Sequence, residues 1–241
     1  MSEFARRIRA RYRKITKPRQ VTLHGLKVLV DDPVVAANAK SFYKETYERA
    51  EIELLRATLR PGDRVIEIGA GVGLTAMVAA KIVGVENVLA FEANPAVMEV
   101  ARKNASLNEM PIDFRHEILV SGEQPPATVP FPINKNFISS TTVGGRDGEA
   151  DVVEVKAGRL ERLLEDWKPT VLSLDIEGFE IELLGRLQGY GGVRAIVMEL
   201  HDHVVGKTKA DALLDQLGQH GFQQNPALVV DKTLVLERAL G

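Results

Sequence analysis

Two groups of residues in this sequence have the types and spacing to do chemistry. The first is the turn in "VIEIGAGVGLTA" (65–76). Gly69, Gly71 and Gly73 alternate there straight after an apolar run, with Glu67 just before them and Glu92 closing the next apolar run. Glycines in such a turn let backbone approach a ligand, because a Cβ would block the approach or forbid positive φ. The second group is Asp175 and Glu177 in "LSLDIEGFEIELL", with Glu199, His201 and His203 in "VMELHDH". Residues two apart on a strand share a face. Asp175 with Glu177, and Glu199 with His201, are therefore expected to converge at one sheet edge. Carboxylates and an imidazole clustered there suit proton abstraction or metal binding better than hydride transfer.

The intervening chain alternates in a way that positions both groups. Short apolar strands are predicted at 65–68, 87–91 and 112–116, then in "TVLSLDI" and "RAIVMEL". Helical spacing separates them, and Asn94 followed by Pro95 reads as the start of one helix. Strand and helix in alternation predict a mostly parallel sheet wound with helices on both faces. "ALVV" and "TLVLER", split by Asp231-Lys232, predict an antiparallel pair at the C-terminal end. In such sheets ligands bind at the carboxyl ends of the strands, at the topological switch.

Upstream, "VTLHGLKVLV" predicts two short strands about His24-Gly25, and 39–59 carries the period of one long helix. The expected organisation is a basic arm over 1–20, a strand and helix extension over 21–60, and a core over 61–241. That core is interrupted by a long loop at 121–150, rich in proline and glycine.

The glycine turn has three readings. Taken from Gly71 it gives the dinucleotide pattern G-x-G-x-x-A ending at Ala76, a nicotinamide reading. As an S-adenosylmethionine loop, Glu67 would meet the cationic amino end of the cofactor and Glu92 would accept the ribose hydroxyls. As a plain strand-to-helix turn it would bind nothing.

Four blocks in this order carry a resemblance. They are "YERAEIELLRATLRPGDRVIEIGAGVG", "VLAFEANPAVMEVARKN", "LSLDIEGFEIELL" and "VMELH". From about Tyr47 to His201 the sequence resembles the FkbM-type S-adenosylmethionine-dependent methyltransferases, of which the Asp-x-Glu-Gly-x-Glu segment is the most telling part. It departs from them at Glu67, usually Asp, and at Ala70-Gly71, commonly Ala-Asn. The resemblance implies a Rossmann-like class I methyltransferase fold and O-methylation of a hydroxyl on a small molecule, sugar or natural product. It implies cofactor contacts at Glu67, Gly69, Gly71, Gly73, Glu92, Asn94 and, near the adenine, Glu117. The expected catalytic residues are His201 as a base, neutral near neutral pH, with Asp175 and Glu199. The alternatives are a nicotinamide-dependent oxidoreductase and a binding protein that keeps the fold without turnover.

Asp175, Glu177, Glu199 and His201 would suit Mg or Mn, but their spacing matches no metal signature, so a divalent metal is possible but not favoured. Glu180 and Glu182 read as a solvated helix face. Tyr47 and Glu51, one helical turn apart, are placed to close over the site, and Asn136, Ser139 and Ser140 are loop residues that could meet the acceptor.

Composition narrows the classes further. The chain has 241 residues, 45% of them hydrophobic, enough for a sizeable core, and its net charge is −2. Residues 1–20 carry +7, which leaves −9 on the rest. The arm suits weak contact with an anionic surface or a partner subunit. The acidic body, with no recognition motif, predicts no nucleic-acid partner. The absence of cysteine and of long apolar runs suits a reducing, cytoplasmic setting. The sequence leaves the oligomeric state open.

Overall fold

Four runs, VIEI, VLAF, VLSL and AIVM, are buried along their whole length. Burial on both faces is what a parallel strand between two helix layers requires. The computed structural model describes residues 3–133 and 151–239. It opens with α1 (Glu3–Thr16), β1 (Gln20–Leu23), β2 (Leu26–Leu29), α2 (Pro33–Ala36), α3 (Ala39–Lys44) and α4 (Arg49–Thr58). Then come β3 (Val65–Ile68), α5 (Leu74–Val83), β4 (Val88–Phe91), α6 (Pro95–Leu107), β5 (Asp113–Arg115) and β6 (Ile118–Val120). Next are β7 (Thr128–Ile133), β8 (Asp151–Arg159), α7 (Leu160–Asp166), β9 (Val171–Leu174), α8 (Glu180–Gly185) and β10 (Ala195–Glu199). The chain closes with α9 (Asp202–Val205), α10 (Lys207–Gln219), β11 (Gln223–Val230) and β12 (Thr233–Glu237).

The central sheet has seven strands in the order β11-β12-β10-β9-β3-β4-β5. β5, β4, β3, β9 and β10 run parallel, while β12 is antiparallel to both β10 and β11. One face buries Val65 against Ile52, Leu55, Met77 and Val78. The other buries Ile66, Leu89 and Leu172 against Leu183 and Leu217. The fold is thus the α/β arrangement expected, with its antiparallel C-terminal pair.

The chain winds outward from β3 to β5 and returns to β9 on the other side of β3, so the topological switch lies between β3 and β9. The two strand ends touch there. Asp175 N–H donates to the Ile68 carbonyl at 3.1 Å. A Cβ on Gly69, at φ +85°, would fall 2.0 Å from the Asp175 carbonyl oxygen. Gly69 is therefore required by the neighbouring strand as well as by any ligand.

Three expectations need correction. The period over 39–59 suggests one helix, but Glu45 and Glu48 adopt left-handed backbone and break it into α3 and α4. Side-chain contacts at the break hold it, with Arg9 and Arg13 bonding Glu45 and the Thr75 N–H bonding Glu48. The segment 121–150 is not loop throughout, because its residues 128–133 form β7. β7 pairs antiparallel with β8, which pairs parallel with β6 in a second, three-stranded sheet. Asn136, Ser139 and Ser140 lie outside the described residues. The strand at 112–116 is shorter than its period suggests, Asp113–Arg115.

The contact at the switch predicts a difference between two glycines. Gly62 also has positive φ, +91°, but open space where a Cβ would go. Backbone strain is common to both sites, so Gly69→Ala should lower the unfolding free energy by about 1–3 kcal/mol more than Gly62→Ala. Urea unfolding of the two variants checks this, and equal costs would contradict the contact.

Candidate active site

A cavity of about 320 Å³ opens over the carboxyl ends of β3, β4 and β9. One end is apolar, walled by Phe91, Val97, Ile118, Leu119 and Phe131. The second sheet thus supplies a wall as well as packing. The other end is acidic, lined by Glu48, Glu51, Asp175, Glu177 and Glu199. With Glu92 and Glu117 the cavity presents seven carboxylates and, among its described lining residues, no lysine, arginine or histidine.

The turn after β3 forms the floor. Glu92, at the tip of β4, accepts from Gly71 N–H at 2.9 Å and from Asn94 N–H at 2.8 Å. Burial raises its pKa to about 7 against the lowering effect of those backbone donors. Gly69 and Gly71 line the cavity. Above Gly71 a Cβ would lie 2.9 Å from the Tyr47 hydroxyl and 3.0 Å from Glu48 Oε1. The broken helix therefore folds two side chains down onto the glycine turn.

Three expected cofactor residues lie off the main cavity. Gly73 begins α5, where a Cβ would press on Phe114 and Ala101. Asn94 is buried and its side chain caps α6 by accepting from Ala96 and Val97 N–H, so it steadies Glu92 through its backbone. Glu67 lies beneath, lining a small cavity of about 10 Å³ with Glu48, Glu51 and Asp175. Burial raises Glu67 to about 7 against hydrogen bonds from Ser173 and Thr75, and its Oε2 has no hydrogen-bond partner. Glu117 does line the cavity, paired with Lys156 at 2.6 Å.

At the acidic end the carboxylates gather round one buried imidazole. His201 Nε2 lies 3.7 Å from Asp175, 3.6 Å from Glu177 and 3.7 Å from Glu199. Its Nδ1 faces Glu180 Oε1 at 3.3 Å, and the same oxygen accepts from His201 N–H at 2.9 Å. Burial lowers the imidazole pKa, but the Glu180 hydrogen bond and the charges of Glu180, Asp175 and Glu199 outweigh it and raise it to about 9. That favours an imidazolium over the expected neutral base near neutral pH. Glu180 also departs from expectation, being fully buried while Glu182 is on the surface. Asp175 is held well above the usual carboxylate range by burial and by Glu199, and its Oδ1 lacks a hydrogen-bond partner. Glu51 is raised by burial and by Glu199, with which it shares a hydrogen bond.

Asp175, Glu177 and His201 have ligand atoms within 4.8 Å of one another, as do Glu51, Asp175 and Glu199. This grouping does not by itself assign a metal, because acidic groups cluster without one.

The model of the methyltransferase FkbM domain matches residues 67–223, well over half the chain. The chain belongs to the FkbM methyltransferase family. Among individual relatives, the ribosomal protein L11 methyltransferase of Caldicellulosiruptor saccharolyticus is 39% identical over 71 residues, 30% of this chain and 23% of that protein. That of Symbiobacterium thermophilum is 43% identical over 61 residues, 25% of this chain and 20% of that protein. The match spans about a quarter or less of these relatives' length. A methyltransferase from Pyrococcus furiosus is a structural neighbour at TM-score 0.47 and 16% identity, covering 98% of this chain and 99% of that one.

The FkbM family implies S-adenosylmethionine, and the donor set fits it. The apolar end suits an adenine, Glu92 suits a ribose diol, and the carboxylates of the acidic end suit positive charge. The pyrophosphate of a nicotinamide cofactor would meet seven carboxylates and no cation among the described lining residues.

The imidazolium is testable directly. In this member of the FkbM methyltransferase family, His201 should titrate by NMR near pH 9 and fall toward its ordinary value in Glu180→Gln. Because the folded pKa is raised, its stabilising contribution is full below about pH 6.5 and lost as pH rises through 9. A wild-type midpoint near 6.5 would contradict the pairing.

Proposed function

We propose that this chain transfers the methyl group of S-adenosylmethionine to a hydroxyl oxygen of a small, uncharged polyhydroxylated molecule such as a sugar. The observation that carries this is the cavity wall of seven carboxylates without a basic side chain among the described lining residues. Carboxylates accept hydrogen bonds from hydroxyls, and they repel phosphodiesters, which argues against a nucleic-acid acceptor.

The cofactor supplies a methyl group already activated by a positively charged sulfur. The protein's task is to align the acceptor and exclude water, which can supply up to about 7–11 kcal/mol in ideal geometry. Glu92 holds the ribose, Gly69 and Gly71 give backbone access, and Glu67 attracts the cationic end. Asp175 is the base. Its Oδ1 is turned toward His201 Nε2, which leaves Oδ2 for the acceptor's hydroxyl proton. Positive charge entering the site lowers the raised pKa of Asp175 and readies it for that step. His201 positions Asp175 and Glu199 rather than taking the proton. In this reading 61–241 is the catalytic unit, and 21–60 contributes Tyr47, Glu48 and Glu51 to the cavity.

A second reading, an amine acceptor, has the same carboxylates in its favour, since they would attract an ammonium. It is also in keeping with the named ribosomal-protein methyltransferases, although those matches cover little of either chain.

Transfer of labelled methyl from S-adenosylmethionine to a panel of sugars, hydroxylated natural products, ribosomal protein L11 and tRNA separates these readings. We expect label on a hydroxyl compound, with Asp175→Asn lowering kcat at saturating cofactor by about 10²–10⁴-fold. Label on the protein amine alone would favour the second reading, and label on tRNA alone would sink both.

A further inference from the structure

Helix α1 is turned the wrong way round for a soluble surface helix. Phe4, Ile8, Tyr12 and Ile15 are 73%, 52%, 67% and 81% exposed. At about 100° per residue these positions fall within an arc of roughly 80°. They are four of the seven exposed large hydrophobic residues among the described residues, gathered on one stripe. The opposite face, which would ordinarily be polar and solvated, holds the helix to the body. Arg9 bonds Glu45 at 3.0 Å and Arg13 bonds Glu45 at 2.9 Å, with further Arg13 contacts to the Tyr43 and Thr22 carbonyls. Glu45 and Arg13 are largely buried by this clamp. Arginines thus face inward and apolar side chains face water.

One border of the stripe carries Arg7, Arg11 and Lys14, all exposed. We propose that α1 is a membrane-surface helix that lays its apolar stripe into the headgroup region of a bilayer rich in anionic lipid. Two independent features point to that occupant. The stripe holds two aromatics and two isoleucines on a 14-residue helix, and no helix among the described residues is long and apolar enough to cross a membrane. Its border is basic, while the rest of the chain carries −9 and would be repelled by the same surface. The arm therefore fixes both the attraction and the orientation. A second copy meeting stripe to stripe would bring like-charged borders together, which disfavours that occupant. The proposal stands apart from the identity of the methyl acceptor.

Flotation of the full-length chain tests it, using vesicles of phosphatidylcholine alone and of equal parts phosphatidylcholine and phosphatidylglycerol. The wild type should float with the anionic vesicles only. The charge reversal Arg7→Glu/Arg11→Glu/Lys14→Glu removes three attractions and should weaken partitioning by about 100-fold or more. The triple variant Phe4→Ser/Ile8→Ser/Ile15→Ser should weaken it at least tenfold, since each buried apolar side chain is worth more than about 1 kcal/mol. Phe4, Ile8 and Ile15 are exposed, so the thermal midpoint should hold in the serine variant. No flotation with anionic vesicles would overturn the proposal. So would flotation unaffected by the serine variant, which would reduce the contact to a purely ionic one. A dimer that the serine variant dissociates, without flotation, would assign the stripe to a second copy and also overturn it.

Discussion

The site depends on holding several carboxylates together over the switch in the sheet without driving them apart. Asp175, Glu177 and Glu199 all lie within 3.7 Å of one imidazole nitrogen, and Glu180 holds the other side of the ring. That buried cation makes the cluster tolerable, because unbalanced carboxylates would protonate or separate. The balance is incomplete. Glu67 and Glu92 are still pushed up to about 7, so the folded state binds more protons than the unfolded chain. Stability contributed by these two groups therefore declines as pH rises from the ordinary carboxyl range through 7. A positively charged ligand would offset that cost. Affinity for a cationic ligand and strain without one would have the same origin.

Backbone geometry brings this charge into register. β3 and β9 are neighbours only because the chain winds outward and then returns, and their ends meet with Gly69 pressed against the Asp175 carbonyl. The glycine turn and the acidic cluster are thereby fixed side by side at the ends of neighbouring strands. The connection between α3 and α4 completes the enclosure, and Glu45, anchored by two arginines of α1, fixes where that connection begins.

Much of this was legible in the sequence because it is periodic. Strands buried on both faces read as apolar runs, and their ends placed Glu92, Asp175 and Glu199 at one sheet edge. What was missed depends on contacts between distant segments. Glu48 sits in what reads as an uninterrupted helix, and only left-handed backbone at Glu45 and Glu48 turns it inward. Glu180 has the spacing of a helix surface, yet α8 buries it against His201. A signal existed for Glu180, since it closes the Asp-x-Glu-Gly-x-Glu segment. The raised pKa of His201 comes from three carboxylates drawn from two strand ends and a helix, which no local pattern reveals.

The central claim is that this cavity is built for an adenosyl cofactor carrying positive charge. Titration calorimetry with S-adenosylmethionine, S-adenosylhomocysteine and NAD, on the wild type and Glu92→Ala, tests it most directly. The account predicts saturable binding of both adenosyl ligands, weakened in Glu92→Ala, and no binding of NAD. Binding of NAD without binding of either adenosyl ligand would contradict it.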